Sequence, residues 1–156
     1  MNYKDLIEES NKNVKTADHL IYITYPLLKD PKLIITITER LYHSLMNAVS
    51  ALLYYDYAYK RIDFVPHSDN DKIRLFKDLS MKTYNINKEI VVIMNELKEF
   101  IEFRKKSPLE PLFKDTRTIF SSAYNTRTLS LTKMKDYVKE VKRFNKNING
   151  IIKNGL

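Results

Sequence analysis

Apolar residues recur along most of the chain at three- and four-residue spacing, the period of an α-helix packed on one side. In the longest such stretch, Pro31–Ile62, they occupy two sides at once. Ile34, Leu41, Leu45, Ala48, Leu52, Tyr55, Tyr59 and Ile62 form one stripe, and Ile35, Tyr42, Met46, Val49, Leu53 and Tyr57 form another. A helix apolar on two faces is covered on two sides, so this segment reads as the central post of a bundle. Unbroken, it would be about 45 Å long at the helical rise.

The flanking segments supply its neighbours. Tyr3, Ile7, Val14, Ala17, Ile21 and Leu28 share one stripe, with Ser10 and Thr24 as polar members, which predicts a first helix over Asn2–Tyr25 ended by Pro26. Asp30-Pro31 reads as an N-cap followed by proline at the first helical position. The first two helices are then an antiparallel hairpin turning through Leu27–Asp30. After the Pro66 break, Ser68 or Asp69 caps a shorter third helix carrying Ile73, Phe76, Leu79 and Met81. Asn87 caps a fourth, with Ile86 and Val91 as a hydrophobic staple and Ile90, Ile93, Met94, Leu97, Phe100 and Ile101 as its buried side. From Lys105 to Ser130 the helical period fails. That stretch reads as an ordered crossover or a functional loop, with Thr116–Ser121 a candidate for extended chain. Ser130 caps a last helix whose buried stripe is Met134, Tyr137, Val138, Val141, Ile148, Ile151 and Ile152. The expectation is an all-α, single-domain, five-helix, mainly antiparallel bundle with a long central second helix, spanning residues 1–156.

Composition narrows this picture. The chain has 156 residues, enough for one substantial core, and no cysteine, which removes disulfides and thiolate metal sites. Its two glycines, Gly150 and Gly155, stand near the end, so glycine-rich phosphate loops are absent and tight-turned β architectures disfavoured. The beginning of the chain lacks a signal-peptide run, and the longest uncharged stretch, Leu41–Tyr55, is too short and too polar to span a membrane. A cytoplasmic protein with no membrane partner is expected. The helix apolar on two faces and the abundance of tyrosine predict a homodimer, burying Tyr55, Tyr59 and their neighbours across a two-fold axis.

Charge is unevenly placed. Residues 133–156 hold seven basic side chains against Asp136 and Glu140, a net of +5 out of the chain's +8. Lys135, Lys139, Lys142 and Lys146 align on the side of the last helix away from its apolar stripe. Such a row is either a solubilising face or a ridge that neutralises the phosphates of RNA without reading sequence. Arg117 and Arg127 in the preceding segment could add contacts. Elsewhere the central helix carries a polar seam, and hairpin register places Asp18 and His19 beside Arg40 and Glu39, with Lys15 near His43. An Asp18–Arg40 ion pair is the simplest outcome; a polar binding site over His19, Glu39 and His43 is the alternative. Neither a nucleophile elbow nor a Ser/Cys–His triad occurs, and no metal or cofactor is implied. The residues therefore predict a non-enzymatic binding module that contacts RNA or another anionic partner through its last helix.

The segment Ala17–Asp30, ADHLIYITYPLLKD, together with the long helix after it, resembles small uncharacterised archaeal all-helical proteins. The order of two long helices, two shorter ones, a crossover and a final helix resembles the HEPN group of helical bundles. That resemblance implies dimerisation and, as an alternative function, metal-independent ribonuclease chemistry resting on an Arg-x4–6-His motif. No histidine follows Arg104 in the late region where the motif belongs. Arg61 and His67 are the pair with that spacing, and the resemblance makes them the alternative catalytic residues.

Overall fold

The computed structural model describes residues 2–106, 112–114, 117–121 and 126–154, with side chains for 2–105 and 130–154. Five helical rods make up its all-α body. The first, α1, covers residues 3–28 as two α-helical pieces, Tyr3–His19 and Tyr25–Leu28, joined through a wide π-turn at Leu20–Thr24. Helix α2 is Lys32–Ala58. Helix α3 covers residues 69–83, again with a π-turn, at Phe76–Ser80. Helix α4 is Glu89–Lys106 and α5 is Leu131–Asn154.

The capping residues do what their chemistry suggests. Asn2 accepts from the Lys4 amide, Asp30 from Lys32, Ser68 from Asp71, Asn87 from Glu89 and Ser130 from Lys133, at 2.8 to 3.1 Å. Each satisfies one of the four orphan donors at a helix start, a contribution of about 1 kcal/mol. Helix ends are less conventional, because glycine is scarce. Lys29, Lys60 and Asn85 take the left-handed conformation (φ 50°, 60° and 52°). At Lys60 the Arg61 amide reaches the Asp56 carbonyl and the Lys60 amide reaches Tyr57, the paired bonds of a Schellman turn.

Two boundaries differ from the sequence expectation. Pro26 does not end α1. The π-turn lies immediately before it, and the Tyr25 amide reaches back to Leu20. A wide turn relieves the clash between a proline ring and the carbonyl four residues earlier, so the helix runs one turn further and stops at Lys29. The central helix ends at Ala58 rather than Ile62, because Lys60 turns the chain at the Schellman motif; α2 is thus about 40 Å long.

Helix α2 is the post around which the others stand: α1 runs along it, α5 packs on both, and α3 and α4 contact its remaining sides. Both apolar stripes of α2 are buried as far as Leu53 and Tyr55. Beyond that point Tyr57 and Tyr59 are half exposed. Phe76 of α3 meets Phe144 of α5 edge to face at 5.8 Å, and Tyr3 of α1 meets Tyr55 of α2 in the same way at 5.4 Å. Leu45, Leu52, Met94 and Met134 are wholly enclosed in this core, and truncating such a residue to alanine costs about 2–5 kcal/mol.

The segment before α5 holds a small antiparallel meander in the order β1 (Leu112–Lys114), β2 (Arg117–Ser121), β3 (Thr126–Ser130). Ile119 pairs with Leu112 on one side and Thr128 on the other. The extended stretch expected at Thr116–Ser121 corresponds to β2, apart from Thr116, which lies outside the described residues. Thr- and aromatic-rich composition without helical period suits strands, and β3 passes directly into the Ser130 cap of α5. Among the described residues no helix is long and apolar enough to cross a membrane.

Candidate nucleic-acid interface

Helix α5 is strongly two-sided. Leu131, Met134, Val138, Val141, Phe144, Ile148 and Ile151 are buried, and Lys135, Lys139, Lys142 and Lys146 are all exposed. The lysine row does not stand alone on the far side of the helix. It runs beside α1, which is antiparallel to α5. The Lys142 ammonium bonds the Asp18 carboxylate at 2.6 Å, and Lys135 sits over the Tyr22 ring at 5.6 Å. Both partners are part-exposed. Such an ion pair contributes about 0–1 kcal/mol and an exposed cation–π contact about 0.5–1 kcal/mol. These contacts hold the ammonium groups in place weakly enough for a phosphate to replace them. Lys139 and Lys146 have no ion-pair partner among the described residues. The side chains of Arg117 and Arg127 lie outside the described residues.

Below the row the three helices are fastened by a polar knot. Ser10 Oγ donates to the Ser44 carbonyl at 2.6 Å, Ser44 Oγ donates to the Ser10 carbonyl at 2.8 Å, and Asn145 Nδ2 donates to Ser44 Oγ at 2.9 Å. All three residues are buried. The single Ser44 hydroxyl proton is already directed at Ser10, so that oxygen must accept from Asn145, which fixes which way the Asn145 amide faces. Its other end, Oδ1, is buried with no partner among the described residues. The sequence signals for the knot were Ser10 inside an apolar stripe and Asn145 beside Phe144. Periodicity could not say that they meet.

The polar seam of α2 is dispersed. Asp18 pairs with Lys142, not with Arg40, and Arg40 bonds Asn13 Oδ1 at 3.2 Å. Hairpin register gives height along a helix and says nothing of angular position; Asp18 stands on the flank of α1 that faces α5. His19 Nδ1 lies 3.3 Å from Thr24 Oγ1. Glu39 and His43 instead line a separate cleft of about 440 Å³ with Tyr42, Asp69 and Arg104. His19, Glu39 and His43 therefore do not converge. In that cleft the Tyr42 hydroxyl donates to Asp69 Oδ2 at 2.9 Å, and burial first, then the Asp69 carboxylate, pushes its pKa above the usual phenol value. Among the described residues no group of three His, Asp or Glu is placed to hold a metal ion.

Arg61 and His67 are not brought together by any hydrogen bond. Arg61 Nη1 bonds Asp56 Oδ1 at 3.3 Å and Tyr84 Oη at 3.1 Å, and its guanidinium lies 5.5 Å from the centres of both the Tyr55 and Tyr59 rings. The Tyr84 hydroxyl also donates to Asp56, which is 3% exposed. Arg61 thus neutralises a buried carboxylate at the end of α2 and ties it to the end of α3. His67 is exposed in the turn before Ser68. Tyr55 is buried by its own chain, against Tyr3 and Tyr59, so it has no surface to give to a dimer contact.

No family model, curated protein or solved structure matches this chain.

Proposed function

We propose that the protein is a non-catalytic binding module that holds RNA along the exposed lysine row of α5. The observation that carries this reading is the row itself: Lys135, Lys139, Lys142 and Lys146 stand exposed on one flank of a helix whose opposite side is buried. Four ammonium groups in line can meet successive backbone phosphates, and such contacts give affinity without sequence readout. The partial engagement of Lys135 by Tyr22 supports the same reading, because an aromatic ring half exposed beside the row offers a stacking surface for an unpaired base. The ribonuclease alternative draws no support from Arg61, whose guanidinium is held by Asp56 and Tyr84. For the homodimer, support rests on Tyr57, Tyr59 and Phe64, all exposed around the end of α2. Light scattering showing only an 18.5 kDa species at micromolar concentration would remove it.

The test is binding of a single-stranded oligoribonucleotide by fluorescence anisotropy at several salt concentrations. Contact with about four phosphates predicts a log–log salt slope of about −3. Replacing the four lysines with glutamine should flatten the slope and weaken binding. It should change stability little, since exposed charges contribute under about 1 kcal/mol each. Absence of binding, or binding indifferent to the four changes, refutes the reading.

A further inference from the structure

Helices α1 and α5 leave an open groove of about 840 Å³ between them. Its floor is closed by Val14 and Asn145, both buried. The helices are antiparallel and Asp18 meets Lys142, so Lys15 stands level with Asn145, and Asn11 with Asn149. That register sorts the charges along the groove. In the half nearer Asp18, Lys12 and Lys15 line one wall and Lys142 and Lys146 the other, whereas Asp5, Glu8 and Glu9 lie one to two turns further down α1. All four lysines are exposed. Glu8 and Glu9 precede Lys12 at the spacing of a helical ion pair, yet Lys12 forms none among the described residues, nor do Lys15 and Lys146. Axes of packed helices stand about 8–10 Å apart, which is about one Debye length at physiological salt. The potentials of the two walls therefore add.

We propose that this half of the groove is a two-walled phosphate seat: the backbone of the bound RNA passes from the α5 row between the helices and is held from the other side by Lys12 and Lys15 of α1. The proposal rests on the RNA reading of the lysine row, with which the groove shares Lys142 and Lys146, and it adds a second helix to the contact. An ammonium is a compact point charge with three donors, so lysines from opposite walls reach the same stretch of backbone without a fixed geometry. The side-chain amides of Asn11 and Asn149, level with each other, donate to phosphate or sugar oxygens beside them. Asp5, Glu8 and Glu9 repel phosphate, and so set the point at which the strand turns out of the groove. None of these contacts reads a base edge, and the seat is indifferent to sequence.

The experiment follows binding of one single-stranded oligoribonucleotide to the intact chain by anisotropy, from about 50 to about 200 mM salt. Lys12→Gln with Lys15→Gln removes about two phosphate contacts, each carrying about 0.7 of the log–log slope, so its loss of affinity across that range should be about sevenfold smaller than that of the native protein. Lys12→Arg with Lys15→Arg keeps both charges and should follow the native curve. Lys77→Gln with Lys82→Gln removes the same charge from exposed positions of α3, outside the groove, and should follow it too. A native salt dependence in the Lys12 and Lys15 glutamine variant overturns the seat and leaves the lysine-row reading standing. An equal effect from the α3 pair overturns the seat by showing net charge alone at work. A similar loss in the arginine variant places the effect in packing, which overturns it as well. Failure of the native protein to bind the oligomer overturns both readings.

Discussion

Replacing Ser44 with alanine tests the polar knot most sharply, because one oxygen serves two partners. Its loss leaves Asn145 Nδ2 without its acceptor in a side chain 2% exposed, whose Oδ1 has no partner among the described residues either. A buried donor left unsatisfied costs about 1–3 kcal/mol. The Ser10 carbonyl loses its hydroxyl donor as well, but it lies within α1 and the helix ladder still serves it. The net expectation is a loss of about 2–3 kcal/mol, or roughly 5–10 °C in melting temperature for a chain of this size. Ser10→Ala should cost less, about 1 kcal/mol, because the Ser44 carbonyl that it serves is also inside a helix. Asn145→Leu removes the group that needs the hydroxyl, together with the unpartnered Oδ1, and should stay within about 1 kcal/mol of the native protein. The Ser44→Ala/Asn145→Leu double variant should then be more stable than the two single losses predict, and that coupling is what a double-mutant cycle measures. Urea denaturation gives all four free energies. If Ser44→Ala costs no more than Ser10→Ala, or if the two losses simply add, the knot does not work as described.

Two further outcomes follow from local geometry. Lys60→Gly should stabilise the fold by about 1 kcal/mol, since a side chain at a left-handed position costs roughly 1–2 kcal/mol relative to glycine; an unchanged or lower denaturation midpoint would count against the Schellman assignment. Tyr42 and Tyr84 both have pKa values raised above the ordinary phenol value, by burial first and then by the carboxylates of Asp69 and Asp56 respectively. Because the folded values lie above the unfolded one of about 10, the stability they contribute is complete below about pH 10 and is lost as pH climbs toward the folded values. In a spectrophotometric titration Tyr42→Phe and Tyr84→Phe should therefore each remove one tyrosine from the late, alkaline end of the curve; a late end unchanged by either substitution refutes this.

Much of the bundle was legible because helical period and capping are local. Ile34, Leu41, Leu45 and Leu52, and Ile35, Tyr42, Met46, Val49 and Leu53 of the second stripe, are buried in the positions that their spacing assigned, and Asn87, Ser68 and Ser130 cap where short polar side chains precede an apolar run. The exposure of the four lysines was legible for the same reason: a helix with one buried stripe puts the opposite residues in solvent. Termination was less so. Whether Pro26 ends a helix or is absorbed by a π-turn depends on what the next turn gains by packing, and a lysine at a left-handed position carries no glycine signal. The meander between α4 and α5 was visible as a failure of helical period and as one candidate extended stretch, Thr116–Ser121, but its pairing was not, because strands join residues through register rather than through any repeat within one segment. What the tertiary structure alone decided is which polar groups meet. Asp18 faces Lys142 and Asn145 reaches Ser44 across 124 and 101 residues of sequence, respectively. Those meetings depend on the rotation of each helix about its own axis. Burial of thirty-five apolar side chains among the described residues in one shared core sets that rotation, and no single segment contains it.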